Sequence, residues 1–250
     1  MSSPRIEDLL RAENLPGVDT EIAPDDEMFV GDHDQYHESG RSMLRNIALA
    51  LVGAGRPRAE RILDLPCGHG RSMRYLRAAF PEAEIVGCDL NRSGVDWCSE
   101  HFGAKPVYSE IEPDRIPIEG AFDLIWCGSL LTHLDAPRWA DFLSLFERLL
   151  APGGSLVVTL HGRLSLQWLQ DDHTYGLDED GVRRVLEGVR REGFGYADYP
   201  GQPGYGISVS LPDWVMRELV RRGTLLIAGY HEMGWHEHQD VLVCRKLPGS

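Results

Sequence analysis

Arg61-Ile-Leu-Asp-Leu-Pro-Cys-Gly-His-Gly-Arg71 runs an apolar strand into a Gly-x-Gly turn and straight on toward a helix. Gly68 and Gly70 permit backbone angles and a close approach that a side chain forbids. The helix starting near Arg71 aims its unpaired N–H groups at whatever lies over the turn. A second strand, Glu84-Ile-Val-Gly-Cys-Asp89, ends in an acid about twenty residues after the glycines, the spacing at which a carboxylate accepts both hydroxyls of a ribose. Together the two segments read as a nucleoside grip.

What the turn lacks narrows the nucleoside. A dinucleotide fingerprint wants a third glycine at position 73, where helix and strand pack beneath a pyrophosphate, and this chain has Met73. Asp64, just ahead of the glycines, would repel a pyrophosphate but suits a ligand carrying an ammonium and a sulfonium. S-adenosylmethionine has both charges and a ribose, so it is the expected cofactor and a nicotinamide oxidoreductase is the weaker reading.

The chain resembles the class I S-adenosylmethionine-dependent methyltransferases. Ile62-Leu-Asp-Leu-Pro-Cys-Gly-His-Gly70 is similar to the first motif of that family and Val86-Gly-Cys-Asp89 to the ribose-binding second. Phe122-Asp-Leu-Ile-Trp-Cys-Gly-Ser129 is similar to its fourth-strand motif, and Leu149-Leu-Ala-Pro-Gly-Gly154 with Ser155-Leu-Val-Val-Thr-Leu160 to the turn into its fifth strand. The resemblance covers residues 60 to 161, with closing strands expected within 224–246. It implies an α/β, doubly wound, Rossmann-like sheet of seven mostly parallel strands with an antiparallel last strand. It further implies a cofactor held by Asp64, Pro66, Cys67, Gly68, Gly70, Asp89, Leu90, Cys127, Gly128 and Ser129. Pro66 departs from the family, which more often has Gly there, and its missing N–H removes one backbone donor.

The hydrophobic periodicity gives strands at 61–65, 84–88, 106–108, 122–127 and 155–160 and helices at 71–79, 92–102 and 137–150. This alternation specifies a parallel sheet covered on both faces. Ahead of it, 5–12 reads as a short helix, 16–35 as an acidic irregular arm and 36–51 as a helix. The arm is expected to fold over the cofactor, with Tyr36, Gly40 and Arg41 as the positions to watch. After the fifth strand, 161–223 is longer than the family minimum. It reads as a helix at 178–191, a glycine-and-tyrosine loop at 193–206 and a helix at 212–222. We expect one domain over 1–250, with an arm (1–60), a cofactor core (61–160), a substrate-side insertion (161–223) and closing strands (224–246).

With 42% apolar residues the chain can bury a full core. The start, Met1-Ser-Ser-Pro-Arg-Ile-Glu-Asp, is too polar for a secretory signal, and no run approaches a membrane span, so a cytoplasmic protein without membrane contact is expected. Five cysteines, four of them on or beside expected strands, are expected reduced, without disulfide or zinc. A formal charge of −14 argues against nucleic acid, whose binding takes clustered Lys and Arg. Base-modifying amino-methyltransferases usually have a polar residue, two prolines and an aromatic after the fourth strand, where this chain reads Cys127-Gly-Ser-Leu. The expected partner is a small-molecule acceptor, and a homodimer is compatible with the chain.

For the chemistry, His133 follows the fourth strand in the segment that in the family borders donor and acceptor. An imidazole can take a hydroxyl proton near neutral pH, with Asp135 close enough in sequence to orient it. His161 is the next candidate base. Tyr36, Trp168, Tyr196, Tyr199 and Tyr205 are the candidate acceptor contacts. In His231-Glu-Met-Gly-Trp-His236-Glu-His238-Gln-Asp240 the spacing misses the zinc-protease pattern, and His236 and His238 could share one strand face. We nevertheless expect a loop here, with no metal. This stretch resembles the closing segment of bacterial methyltransferases often found near glycan or polyketide biosynthetic genes, which implies a small hydroxylated molecule or a sugar as acceptor; the leading expectation is methylation at oxygen. A catalytically silent nucleoside-binding module is the alternative of a different class.

Overall fold

The computed structural model describes residues 6–12, 15–56 and 58–247. Among the described residues, seventeen α-helices and β-strands follow in order. They are α1 (Ile6–Arg11), α2 (His33–Gly53), β1 (Arg61–Asp64), α3 (Met73–Ala79), β2 (Glu84–Asp89), α4 (Arg92–Phe102), β3 (Lys105–Tyr108) and β4 (Phe122–Cys127), then α5 (Ala136–Leu149), β5 (Leu150–Leu160), α6 (Arg163–Gln170), α7 (Glu179–Glu192), β6 (Phe194–Tyr199), β7 (Gln202–Ser210), α8 (Pro212–Arg222), β8 (Leu225–Trp235) and β9 (Gln239–Lys246).

Seven strands form one sheet in the order β3-β2-β1-β4-β5-β9-β8. The β1–β2, β1–β4, β2–β3 and β4–β5 pairs are parallel, whereas β9 runs antiparallel to both β5 and β8. This is the expected Rossmann-like sheet with its last strand reversed. Alternation along the strands splits the core in two. Ile62, Leu124, Trp126, Val157 and Val243 face α2, α3 and α4, while Leu63, Ile125, Cys127, Leu156 and Leu242 face α5 and α8. The strand order reverses beside β1, so the carboxyl ends of β1, β2 and β4 open onto one crevice.

Local chemistry sets the element ends. Asn91, Asp135 and Asp178 cap α4, α5 and α7 by accepting from the N–H groups of Gly94, Arg138 and Gly181. The arm is pinned by Arg74, 1% exposed, which donates to the carbonyls of Asp19 and Glu21 at 3.0 and 2.9 Å and to that of Gly70 at 3.2 Å. Gly40 lets α2 cross α3 closely, since a Cβ there would overlap the Tyr75 ring.

Several boundaries differ from the sequence reading. The helix after the glycine turn begins at Met73, and β5 reaches back to Leu150. The helix expected at 5–12 spans Ile6–Arg11; residues 1–5 of the polar start lie outside the described residues. The 193–206 segment is not a loop: Phe194–Tyr199 and Gln202–Ser210 pair as an antiparallel hairpin. This hairpin packs with α6 and α7 around Leu169, Val185, Val189, Ile207 and Val209, so the insertion has its own small core. The His231-to-Trp235 stretch is strand rather than loop, and only a tight turn separates it from Gln239.

Candidate functional site

At the end of β1, Asp64 is 0% exposed and neither carboxylate oxygen has a hydrogen-bond partner. Burial raises its pKa well above the usual carboxylate value, the neighbouring Asp89 raises it further, and Arg71 pulls it partly back. A buried carboxylate without a donor is costly unless a cation arrives, which makes this the strongest ligand signal in the crevice. Arg71 is close enough for its charge and that of Asp64 to act on each other, and its guanidinium lies over the Trp235 ring at 5.6 Å.

The two glycines of the turn do different things. Gly68 has φ +50°, and a Cβ there would meet nothing within 4 Å, so open space lies over its backbone. Gly70 has φ +85°, but a Cβ would overlap the Phe102 ring, so this glycine serves the packing of α4. Asp89 ends β2 and accepts from the N–H of Gly68 at 2.8 Å and of Asn91 at 2.9 Å, which fixes its carboxylate over the turn. Beyond it Leu90 is 60% exposed, and Ile111, past the end of β3, is 71% exposed. Both are apolar side chains bared past the ends of the paired strands β2 and β3; Ile111 had no part in the sequence reading.

The residues named around the motifs fall into two groups. Gly68, Asp89 and Leu90 stand at the carboxyl ends of β1 and β2, with Asp64 buried at the end of β1. Pro66 follows a cis Leu65–Pro66 bond, and Cys67 and Cys127 are buried with thiols pushed up, Cys67 first by its contact with Cys98 and Cys127 by burial. Gly128 packs against Trp126. Ser129 takes φ +57°, its N–H donates to Thr159 Oγ1 at 2.8 Å, and its hydroxyl pairs with Gln239. All five cysteines are free and buried.

The arm is tied to the glycine turn through Ser93. Asp25 accepts from Ser93, which also bonds His69, and His69 follows Gly68 directly. Tyr36, expected as an acceptor contact, is instead 2% exposed. Its hydroxyl donates to Asp26 at 2.5 Å and accepts from Arg74, so it buttresses the arm and has no surface to offer a substrate. Arg41 pairs with Glu38 at 2.8 Å.

On the acceptor side, His133 ends a short 3-10 turn after β4, and its Nδ1 lies 2.8 Å from the Gly206 carbonyl of β7. His161, just past β5, places its Nδ1 at 3.3 Å from the Ser208 carbonyl of the same strand. A carbonyl only accepts, so both Nδ1 atoms carry the proton and both Nε2 atoms keep the lone pair. Burial lowers the pKa of His133 and drives that of His161 down to about 3, so both are neutral bases at physiological pH. Asp135 does not orient His133: it caps α5 and holds Arg138, and the Gly206 carbonyl takes the expected role. Arg138 in turn grips the hairpin through the Gly204 carbonyl and the Tyr196 hydroxyl.

Tyr205 stacks on His133 at 4.9 Å, with Tyr199 at 6.1 Å, while Tyr175 and His238 flank His161 at 5.1 and 5.3 Å. Trp168 stacks on His238 at 4.6 Å. Tyr205 is near enough to Asp89 and Glu27 for their charges to raise its pKa, beyond the larger effect of burial, which joins this aromatic wall to the nucleoside edge. Tyr196, also expected at the acceptor, instead donates to Asp198 and braces the hairpin. Tyr175 and His238 were not foreseen as site residues; their hydrogen bond is 2.8 Å long. His236 and His238 do not share a strand face, since His236 lies in the turn with φ +54°. Among the described residues no group of three or more His, Cys, Asp or Glu stands together as metal ligands. Among them also no helix is long and apolar enough to cross a membrane.

Residues 62–154 match the family described as "Methyltransferase domain". Over 102 residues the chain is 29% identical to phthiotriol/phenolphthiotriol dimycocerosates methyltransferase 1 of Mycobacterium ulcerans (strain Agy99), covering 40% of this chain and 37% of that protein. Over 103 residues it is 32% identical to the fatty-acid O-methyltransferase of Mycolicibacterium smegmatis (strain ATCC 700084 / mc(2)155), covering 40% and 36%. The aligned region thus spans little more than a third of these relatives. Among solved structures, N-methyltransferase NodS from Bradyrhizobium japonicum WM9, in complex with S-adenosyl-L-homocysteine, superposes with a TM-score of 0.54 at 15% identity over 96% of this chain and 97% of that one. Residues 62–154 thus match a methyltransferase domain, and the seven-stranded sheet that carries them is the Rossmann-like one of the methyltransferase neighbours.

Proposed function

We propose that the protein transfers a methyl group from S-adenosylmethionine to a hydroxyl of a small-molecule acceptor. The observation that carries this reading is Asp64, a buried carboxylate without a partner beside the open backbone of Gly68, which fits a cationic ligand approaching the turn. Asp89 would hold the ribose, Leu90 and Ile111 the adenine, and Asp64 with Arg71 the amino-acid end. When bound, S-adenosylmethionine supplies an electrophilic methyl on a sulfonium whose departure leaves a neutral thioether.

The chain's own work is alignment and proton removal. Orienting bound reactants contributes roughly 7–11 kcal/mol to lowering such barriers. His133, with Nδ1 bonded to Gly206, keeps its Nε2 lone pair to accept the hydroxyl proton as the oxygen attacks the methyl carbon. The fatty-acid O-methyltransferase among the relatives agrees with oxygen as the attacking atom, and the aromatic wall agrees with a small organic acceptor.

Thermal shift with S-adenosylhomocysteine and, separately, NAD tests the reading. A ligand at a hundred times its dissociation constant adds about 2.7 kcal/mol to native stability. Stabilisation by S-adenosylhomocysteine is expected; a response to NAD alone would refute the proposal.

A further inference from the structure

We propose that the acceptor is a flat, uncharged ring bearing two hydroxyls, one methylated at His133 and the other held by His161. This rests on the methyltransferase reading above and narrows its substrate class.

The pairing of β7 with β6 sets Asp198 opposite Gly206 and Tyr196 opposite Ser208, and the other edge of β7 docks on the segment after β4. The Ser208 hydroxyl donates to the Leu131 carbonyl at 2.8 Å and the Ser210 N–H to the His161 carbonyl at 2.9 Å. Carbonyls two residues apart in a strand point the same way, so Gly206 and Ser208 fix two imidazoles on one side of one strand. Their ring centroids are 6.4 Å apart. Each ring has spent its proton on the backbone and retains one lone pair, so the pair can only accept. A ligand spanning them must supply two donors.

The flanking groups define the rest. Tyr199 and Tyr205 stand beside His133, and Tyr175, His238 and Trp168 beside or behind His161, so an aromatic wall borders each imidazole. Neither Lys nor Arg takes part in these ring contacts, whereas Asp89 and Glu27 act on Tyr205. The Asp89 and Glu27 carboxylates disfavour an anionic acceptor, and the nearest guanidinium, Arg138, is spent on Asp135, the Gly204 carbonyl and the Tyr196 hydroxyl. A ring with hydroxyl donors meets every feature: faces for stacking and an O–H for each nitrogen.

In the transfer, the bond formed joins the acceptor oxygen to the methyl carbon and the bond broken joins that carbon to sulfur. The electron pair stays on sulfur, and the hydroxyl proton passes to His133 Nε2. The second hydroxyl keeps its proton and donates to His161 Nε2.

The test compares 3,4-dihydroxyacetophenone with 3-hydroxy- and 4-hydroxyacetophenone, reading kcat/KM from S-adenosylhomocysteine release. The dihydroxy ring is expected to exceed each monohydroxy ring by roughly 10- to 100-fold, the usual consequence of leaving a buried acceptor unpaired. His161→Phe is expected to erase that preference, bringing kcat/KM on the dihydroxy ring down to that on the monohydroxy rings, with S-adenosylhomocysteine still bound. Equal rates on the three rings in the wild-type protein would overturn the proposal. So would no transfer to any of them by a protein that binds S-adenosylhomocysteine, or a preference that survives His161→Phe. Failure of the wild-type protein to bind S-adenosylhomocysteine would instead remove the underlying methyltransferase reading, and this proposal with it. If His161→Phe does not fold, the wild-type comparison alone decides.

Discussion

Gly68→Ala and Gly70→Ala change the same turn two residues apart, yet the structure predicts opposite phenotypes. Both glycines have positive φ, +50° and +85°, so a side chain at either adds about 1–2 kcal/mol of backbone strain. At Gly68 nothing else is added, because a Cβ there meets no atom within 4 Å. At Gly70 the Cβ overlaps Phe102, which α4 holds in the core, and overpacking of this kind adds about 1–3 kcal/mol. Gly70→Ala should therefore lose about 2–5 kcal/mol of stability and Gly68→Ala about 1–2. Binding should invert that order. The new methyl at 68 occupies the space over the turn, and a loss of at least 1.4 kcal/mol there is a tenfold weaker Kd for S-adenosylhomocysteine. Folded Gly70→Ala should lose less than about tenfold. Urea denaturation and isothermal titration on the two variants read both quantities. If Gly68→Ala binds like wild type, or is destabilised as much as Gly70→Ala, the division of labour in the turn is wrong.

Three further predictions follow from the same geometry. Asp64 has a folded pKa raised by burial, so ionising it opposes folding. Stability of the ligand-free protein should fall as pH rises from the unfolded value of about 3.9 toward the raised one, and Asp64→Asn should melt higher yet bind S-adenosylmethionine more weakly. His133→Gln should lose about 10²- to 10⁴-fold in turnover with S-adenosylhomocysteine affinity unchanged. In the wild type, kcat/KM should rise with pH through a pKa below the ordinary 6.5 of histidine and level off by neutrality, because burial depresses this imidazole; a limb centred above 6.5 would exclude it as the base. Arg138→Ala frees the hairpin from α5, so methyl transfer should drop while cofactor affinity holds, and equal losses in both would contradict its role as a clamp on β7.

The nucleoside side of the site was legible because it is local. Gly68, Asp89 and Leu90 follow strand ends that period and composition mark, and the reversed last strand came with the family resemblance. The acceptor side was not, because its determining partners are backbone atoms far along the chain. Asp135 was the nearest acid to His133 in sequence, but the orienting group is the carbonyl of residue 206, contributed by a strand that looked like a loop. That misreading has a physical cause. Gly195 and Gly206 lie in the hairpin because a Cβ at either would overlap the Val185 or Ala197 carbonyl, so close approach, not turn chemistry, put them there. Tyr36 and Tyr196 read as aromatic contacts, yet their hydroxyls serve Asp26 and Asp198. Arg74 carries no local signal in the sequence, and only the fold shows that it ties the arm to the turn.

The central claim is that Asp64, Gly68 and Asp89 form one cofactor cleft at the carboxyl ends of β1 and β2. A crystal structure of the protein grown with S-adenosylhomocysteine tests it most directly. The account predicts ribose hydroxyls on Asp89, the base against Leu90 and the amino-acid end between Asp64 and Arg71; the adenosine lodged elsewhere, or the cleft empty at saturating ligand, would contradict it.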